Sequence, residues 1–470
     1  MRGRMTAGAL GALVLVLAGC GPPAEREPWP DRPVVELGFT VAPDLRTVTG
    51  HERVTFTPDQ RVCELVFRTW PNEPNGARSG SSLVVTGAAV GGRPVQPRTS
   101  AAGAPEGVPG TLVDFPLPEC REPGESVTAD LDFRLVLGPD ADDRWGMSPS
   151  RSIAWFGGGF PLLAWVRGQG WARDDATELP GETATSEDFE LAALAVTAPA
   201  RLAVTGTGTR VSVEPGPFAG TRLHRFQAPA VRDVVVTAGD FETREQDVAG
   251  TRMHLAFPRS GASGDGIRVS PDRWADKLAA SLLALERLLG PYPYPDLWVT
   301  VVPTIGDGIE FPTAVLFGDL SRHEVASLAA HELAHEWFYA LVGNNQAADP
   351  WIDESFATFA QALVARQEDI YALPDVSEDV VGELGQPMAF WARSGGYDNY
   401  VEGVYTQGAA VLLEARRRVG AERFDRALRE YVRSSAHRVV APADVFAAFR
   451  DLPPVTDLLR QYGVHEGGNR

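Results

Sequence analysis

Hydrophobic and polar positions follow two textures along the chain. Between about residues 33 and 242, short runs rich in Val, Thr and Phe are separated by Gly, Pro and Asp; VVELGFTV, TVTGHERVTF, CELVFRTW, SVTADLDFRLVL and VRDVVVTAG are among them. Such runs, punctuated by turn residues, predict strands of an antiparallel sandwich, saddle or open barrel. The period then changes. In SPDRWADKLAASLLALERLLG, Leu278, Leu282, Leu285 and Leu289 line one helical face, Ser270 and Pro271 suit a helix start, and Gly290 before Pro291 ends it. DLWVTVVP and TAVLFG predict two strands with TIGDGIEFP between them, and from residue 321 the pattern is mostly helical to about 462. The expected organisation is an N-terminal β domain over 33–242 and a mixed, helix-rich domain over 243–470.

Residues 1–19 read differently. Arg2 and Arg4 precede the apolar run LGALVLVLAG, as in a signal peptide, and the run closes on LAGC. That ending is similar to a bacterial lipobox, so Cys20 is the expected lipidation site and 20–32 a Pro-rich linker acting as a semi-rigid spacer. The expected location is extracytoplasmic, anchored to the cell membrane by the N-terminal lipid. In an oxidising compartment the other two cysteines, Cys63 and Cys120, form either a disulfide or a pair of buried thiols.

Composition narrows the partners. At 470 residues, 44% hydrophobic and 22% charged, the chain is globular, and no internal run is long and apolar enough to span a bilayer. A net charge of −19 argues against nucleic acid, whose phosphates need a basic surface. A monomer is expected.

The chemistry concentrates in HELAHEWF, residues 331–338. Ser321 and Glu324 form a capping box that starts a helix, and Gly343 is placed to end it. His331 and His335 then lie one turn apart on one face, where both imidazoles reach a single ion. Glu332 is rotated about 100° from His331, near that ion but off its axis. Taken alone, the octet also fits a helix carrying two structural histidines.

The following helix alters that balance. HELAHEWF followed by WIDESFATF puts Glu354 19 positions after His335, giving HExxH-x18-E. This resembles the gluzincin zinc aminopeptidases of the aminopeptidase-N and leukotriene-A4-hydrolase type. PYPYPDLWVTVVPTIGDGIEFPTAVLFG is similar to the family stretch running into its G-x-M-E-N loop, and YVEGVYTQGAAVLLEARRRVG to its Y-x4-Y-x-K-G-A segment. The resemblance covers 243–462 and extends more loosely over the β domain. It implies a thermolysin-like, mainly helical catalytic domain with a small mixed sheet, and one Zn2+ per chain held by His331, His335 and Glu354. It implies Glu332 as the general base that activates the attacking water, and Tyr405 as the donor to the oxyanion. Glu310 would anchor the α-ammonium of a peptide, Gly308 and Ile309 would line the substrate, and Tyr400 would support it.

Several positions depart from the family. Ile309 stands for the usual Met, Phe311 for Asn or Tyr, and Thr406-Gln407 for Glu-Lys. WGMSPSRSIAWFGGGFP occupies the region from which many members supply a second amine-binding residue, without a clean match, which leaves Glu310 as the expected anchor. Glu336 and Asp353 flank the ligands, either orienting them or simply solvated. Larger relatives add a helical repeat domain over the site; its absence here predicts a more open cleft. The expected function is zinc-dependent release of N-terminal residues from peptides outside the cytoplasmic membrane. The alternatives are a gluzincin endopeptidase or other amide hydrolase without N-terminal counting, and a non-catalytic surface binding lipoprotein.

Overall fold

The computed structural model describes residues 26–179, 187–259 and 267–468. Cys20 and the proposed signal segment lie outside the described residues. The N-terminal half is built on an eight-stranded sheet in the order Thr209–Pro215, Thr221–Val231, Phe189–Pro199, Val34–Val41, Thr47–Phe56, Val127–Val136, Ser82–Val90, Arg93–Pro94. Alternation along each strand sends one set of side chains inward. In Thr47–Phe56 these are Val48, Glu52, Val54 and Phe56, all buried. Two four-stranded sheets pack with it around a core containing Phe39, Phe133, Trp155 and Phe156. The antiparallel expectation has one exception: Val34–Val41 pairs in parallel with Phe189–Pro199, strands far apart in the chain that meet only by a crossover. Cys63 and Cys120 are joined by a disulfide.

A five-stranded mixed sheet follows, ordered Phe241–Val248, Thr251–Pro258, Asp296–Val301, Ala314–Phe317, Gly308–Phe311. The residues between the two predicted strands are thus themselves partly a strand. Gly308–Phe311 turns back antiparallel on Ala314–Phe317 and forms the sheet edge. One face of this sheet, with Trp298, Ile309, Phe311, Ala314 and Leu316, joins the core of the N-terminal half. The other face, with Leu297, Val299, Val315 and Phe317, joins a second core formed with the helices. The sheet therefore fixes its edge strand against both halves of the molecule.

The helices that carry the second core include Pro271–Leu289, Arg322–Ala334, Trp351–Ala365 and Gln407–Val419. Leu278, Leu282, Leu285 and Leu289 are all buried on the first. Residues 26–32 are docked against the protein and do not act as a free spacer. The Arg438 guanidinium lies 3.8 Å from the Trp29 ring centroid and the Arg167 guanidinium 5.0 Å from it, while Arg32 donates to the Pro229 carbonyl. Cations stacked on an aromatic face hold the segment across both halves. No helix among the described residues is long and apolar enough to cross a membrane.

Candidate active site

The motif helix starts as its sequence dictates. Ser321 accepts from the Glu324 N–H and Glu324 returns a carboxylate to the Ser321 N–H, a complete capping box. Its end differs from expectation. The helix stops at Ala334 with His335 as the C-cap, and Gly343 lies in a short strand, Val342–Asn344. The buried Trp337, Phe338 and Tyr339 pull the chain into the core, with Tyr339 at φ 114. This early turn puts the Phe338 carbonyl 3.0 Å from Nδ1 of His335. A carbonyl only accepts, so Nδ1 carries the proton, and in the neutral ring the Nε2 lone pair faces inward.

That lone pair meets two other donors. Nε2 of His335 and Nε2 of His331 are 3.2 Å apart, and Oε2 of Glu354 lies 3.2 Å from the first helical histidine and 3.4 Å from the second. All three residues are buried, their donor atoms lie within 4.8 Å of one another, and they are the one such metal-holding group among the described residues. Glu354 comes from the helix Trp351–Ala365, packed across the motif helix, and its Oε2 accepts no conventional hydrogen bond. Burial raises its pKa, but the His335 and His331 imidazoles outweigh this and hold it below the usual carboxylate range. Three electron-rich atoms converging from buried side chains fit a tetrahedral cation with nitrogen and oxygen ligands.

Glu332 is buried beside them, and burial pushes its carboxyl well above the usual range despite the neighbouring His335. Gly308 on the edge strand faces it closely: a Cβ there would lie 2.4 Å from Cγ of Glu332. Tyr405 reaches the site from a π-helical turn, Val401–Thr406, that runs into the helix Gln407–Val419. Its ring stacks on His331 with centroids 5.7 Å apart and planes 19° apart. Tyr400 does not line the cleft. It is fully buried in the helical core and meets Tyr405 edge-on at 5.5 Å.

Glu336 and Asp353 are both buried, so neither is solvated. Glu336 accepts from the Thr313 N–H, and Asp353 from the Asn344 and Gln346 side-chain amides. Burial pushes Glu336 up to about 8 and Asp353 up to about 7, with Glu354 adding to the second. These acids brace the loops around the ligand helices.

The cleft has a volume of about 400 Å³ and is lined by His331, Glu332, His335, Glu354, Tyr405, Gly308, Ile309 and Glu310, together with Asp142, Asp143 and Arg144. The last three come from the N-terminal half and were not singled out in the sequence. Arg144 donates to Oε1 of Glu310 at 2.8 Å. At the rim, burial with the nearby Asp142 and Glu310 pushes Asp307 up to about 6. A larger cavity of about 810 Å³, between 171–178 and segments around 345–348 and 387–393, contains none of the motif residues.

Residues 309–462 match the Peptidase family M1 domain. Aminopeptidase M1-A of Oryza sativa subsp. japonica is 26% identical over 265 residues, covering 50% of this chain and 29% of that protein. Aminopeptidase N of Haemonchus contortus is 28% identical over 156 residues, 30% of this chain and 16% of that one. The chain thus matches less than a third of the length of these relatives. A solved M1 zinc metallopeptidase from Deinococcus radiodurans superposes over 92% of this chain and 93% of its own, with a TM-score of 0.64 at 19% identity, so the two share a fold across both halves. Residues 309–462 are thus similar to a Peptidase family M1 domain, and the fold of both halves is similar to that of the solved M1 zinc metallopeptidase.

Proposed function

We propose that this protein is a zinc-dependent aminopeptidase, tethered outside the cytoplasmic membrane through Cys20 and acting as a monomer on peptides. The observation that carries the reading is the convergence of His331, His335 and Glu354 within 4.8 Å, with Glu332 and Tyr405 lining the same cleft. These residues would hold one zinc ion, which supplies a Lewis acid for the scissile carbonyl and for water when bound. Glu332 takes a proton from the attacking water and delivers it to the leaving amine; burial favours its protonated form between those steps. Tyr405 donates a hydrogen bond to the carbonyl oxygen as it gains charge, and its stack on His331 fixes the ring. The edge strand Gly308–Phe311 offers its open side to an extended peptide as one further strand. Glu310 receives the free α-ammonium.

Purified protein is expected to contain about one zinc per chain. Glu332→Gln should keep that metal and lose turnover of aminoacyl-p-nitroanilides. A Glu332→Gln protein that stays active refutes the base; a metal-free, active wild type refutes the zinc.

A further inference from the structure

Arg144 and Glu310 form an ion pair across the two halves of the molecule, with side chains 4% and 9% exposed. The guanidinium makes a second contact with the same residue, donating through Nη1 to the Glu310 carbonyl at 3.3 Å. It also lies 5.2 Å from the ring centroid of Phe311, the next residue on the edge strand. Arg144 is itself held. Its N–H donates to the Asp143 carboxylate, its carbonyl accepts from Gly157, and the Asp143 carbonyl accepts from the Trp155 indole. One rigid cation therefore grips both the side chain and the backbone of Glu310.

The pairing has a consequence for amine recognition. Glu310 shares its cleft with Asp142, Asp143, Asp307 and Glu332, acids of like charge that repel its carboxylate, whereas Arg144 attracts it. A carboxylate has about four lone-pair sites, so a guanidinium on Oε1 leaves acceptor capacity for an ammonium. Guanidinium geometry is planar and directional, which fixes orientation as well as charge.

We propose that Arg144 is a positioning residue of the amine subsite: it fixes the Glu310 carboxylate where a substrate's free α-ammonium meets it, so the N-terminal domain helps to set the preference for free N-termini. This rests on Glu310 being the amine anchor.

The test is the ratio of kcat/KM for an aminoacyl-p-nitroanilide to that for its N-acetyl form, measured on the same sample so that the active fraction cancels. Glu310→Gln should lower the ratio about tenfold or more, the scale of one charge-assisted hydrogen bond. Arg144→Met should lower it comparably, mainly through KM of the free substrate. Arg144→Lys should recover part of it, and the Arg144→Met/Glu310→Gln double variant should fall no further than Glu310→Gln. If Glu310→Gln leaves the ratio unchanged, the anchor assignment fails. If Glu310→Gln lowers it but Arg144→Met and Arg144→Lys do not, the positioning role fails. A ratio that rises in Arg144→Met overturns the proposal in favour of Arg144 as a neutraliser of Glu310. Should Arg144→Met not fold, Arg144→Lys and Arg144→Gln carry the same comparison.

Discussion

A Cβ on residue 308 would lie 2.4 Å from Cγ and 2.5 Å from Cδ of Glu332. The edge strand thus passes so close to the proposed base that only glycine fits. Its backbone takes no positive φ, so space alone selects it. Gly308→Ala is expected to displace Glu332 or the strand and to cost about 100-fold or more in kcat/KM, the scale of a misplaced catalytic group. Its thermal stability should change little, because the cleft side is open. Steady-state kinetics beside a melting curve check both halves of this prediction.

Tyr405→Phe keeps the ring that stacks on His331 and removes only the hydroxyl. The expected outcome is a fall in kcat of about 10²–10³ with KM nearly unchanged, as for loss of one oxyanion donor. A change confined to KM would assign Tyr405 to ground-state binding.

The three convergent ligands predict a stability effect that is independent of turnover. Two imidazoles and a carboxylate share a buried space, their ligand atoms 3.2–3.4 Å apart. Zinc at 100 to 1,000 times its Kd should stabilise the fold by about 3–4 kcal/mol. A chelator should lower the melting temperature and added zinc restore it. Glu354→Ala should melt alike with and without zinc.

Glu52 predicts a pH dependence far from the cleft. It sits on the inward face of Thr47–Phe56, is 0% exposed, and neither carboxylate oxygen has a hydrogen-bond partner among the described residues. Burial pushes its pKa well above the usual value, and likewise pushes Glu187, on the same small cavity, up to about 8. Both acids are raised in the folded state, so the stability they allow is complete below their unfolded value, near 4.5, and lost as pH rises through the folded value. Melting temperature should fall from pH 5 toward pH 8, and Glu52→Gln should flatten the decline and raise stability at pH 8. An equal decline in Glu52→Gln would contradict this.

The metal cluster was legible because its geometry is local or nearly so. One helical turn brings His331 to His335, and two packed helices bring in Glu354. The capping box and the leucine face of Pro271–Leu289 follow from the same periodicity. Arg144 was not legible, since 166 positions separate it from Glu310 and no spacing rule joins them. The edge strand at 308–311 was hidden because four residues bounded by Gly and Pro look like a loop until a neighbouring strand pairs with them. Tyr400 was expected to support the substrate because it lies five positions before Tyr405, as in the family pattern; it is instead buried and meets Tyr405 edge-on, outside the cleft lining. Trp29 shows the same limit, because a Pro-rich stretch reads as a spacer unless the arginines that stack on its tryptophan are known.

The central claim is that this site counts from a free N-terminus. Digestion of an unblocked pentapeptide with five distinct residues, followed over time by mass spectrometry, tests it most directly. The account predicts a ladder of products each shorter by one N-terminal residue, with released single amino acids appearing in sequence order. Internal fragments appearing first, or the N-acetylated pentapeptide being cut as fast, would contradict it.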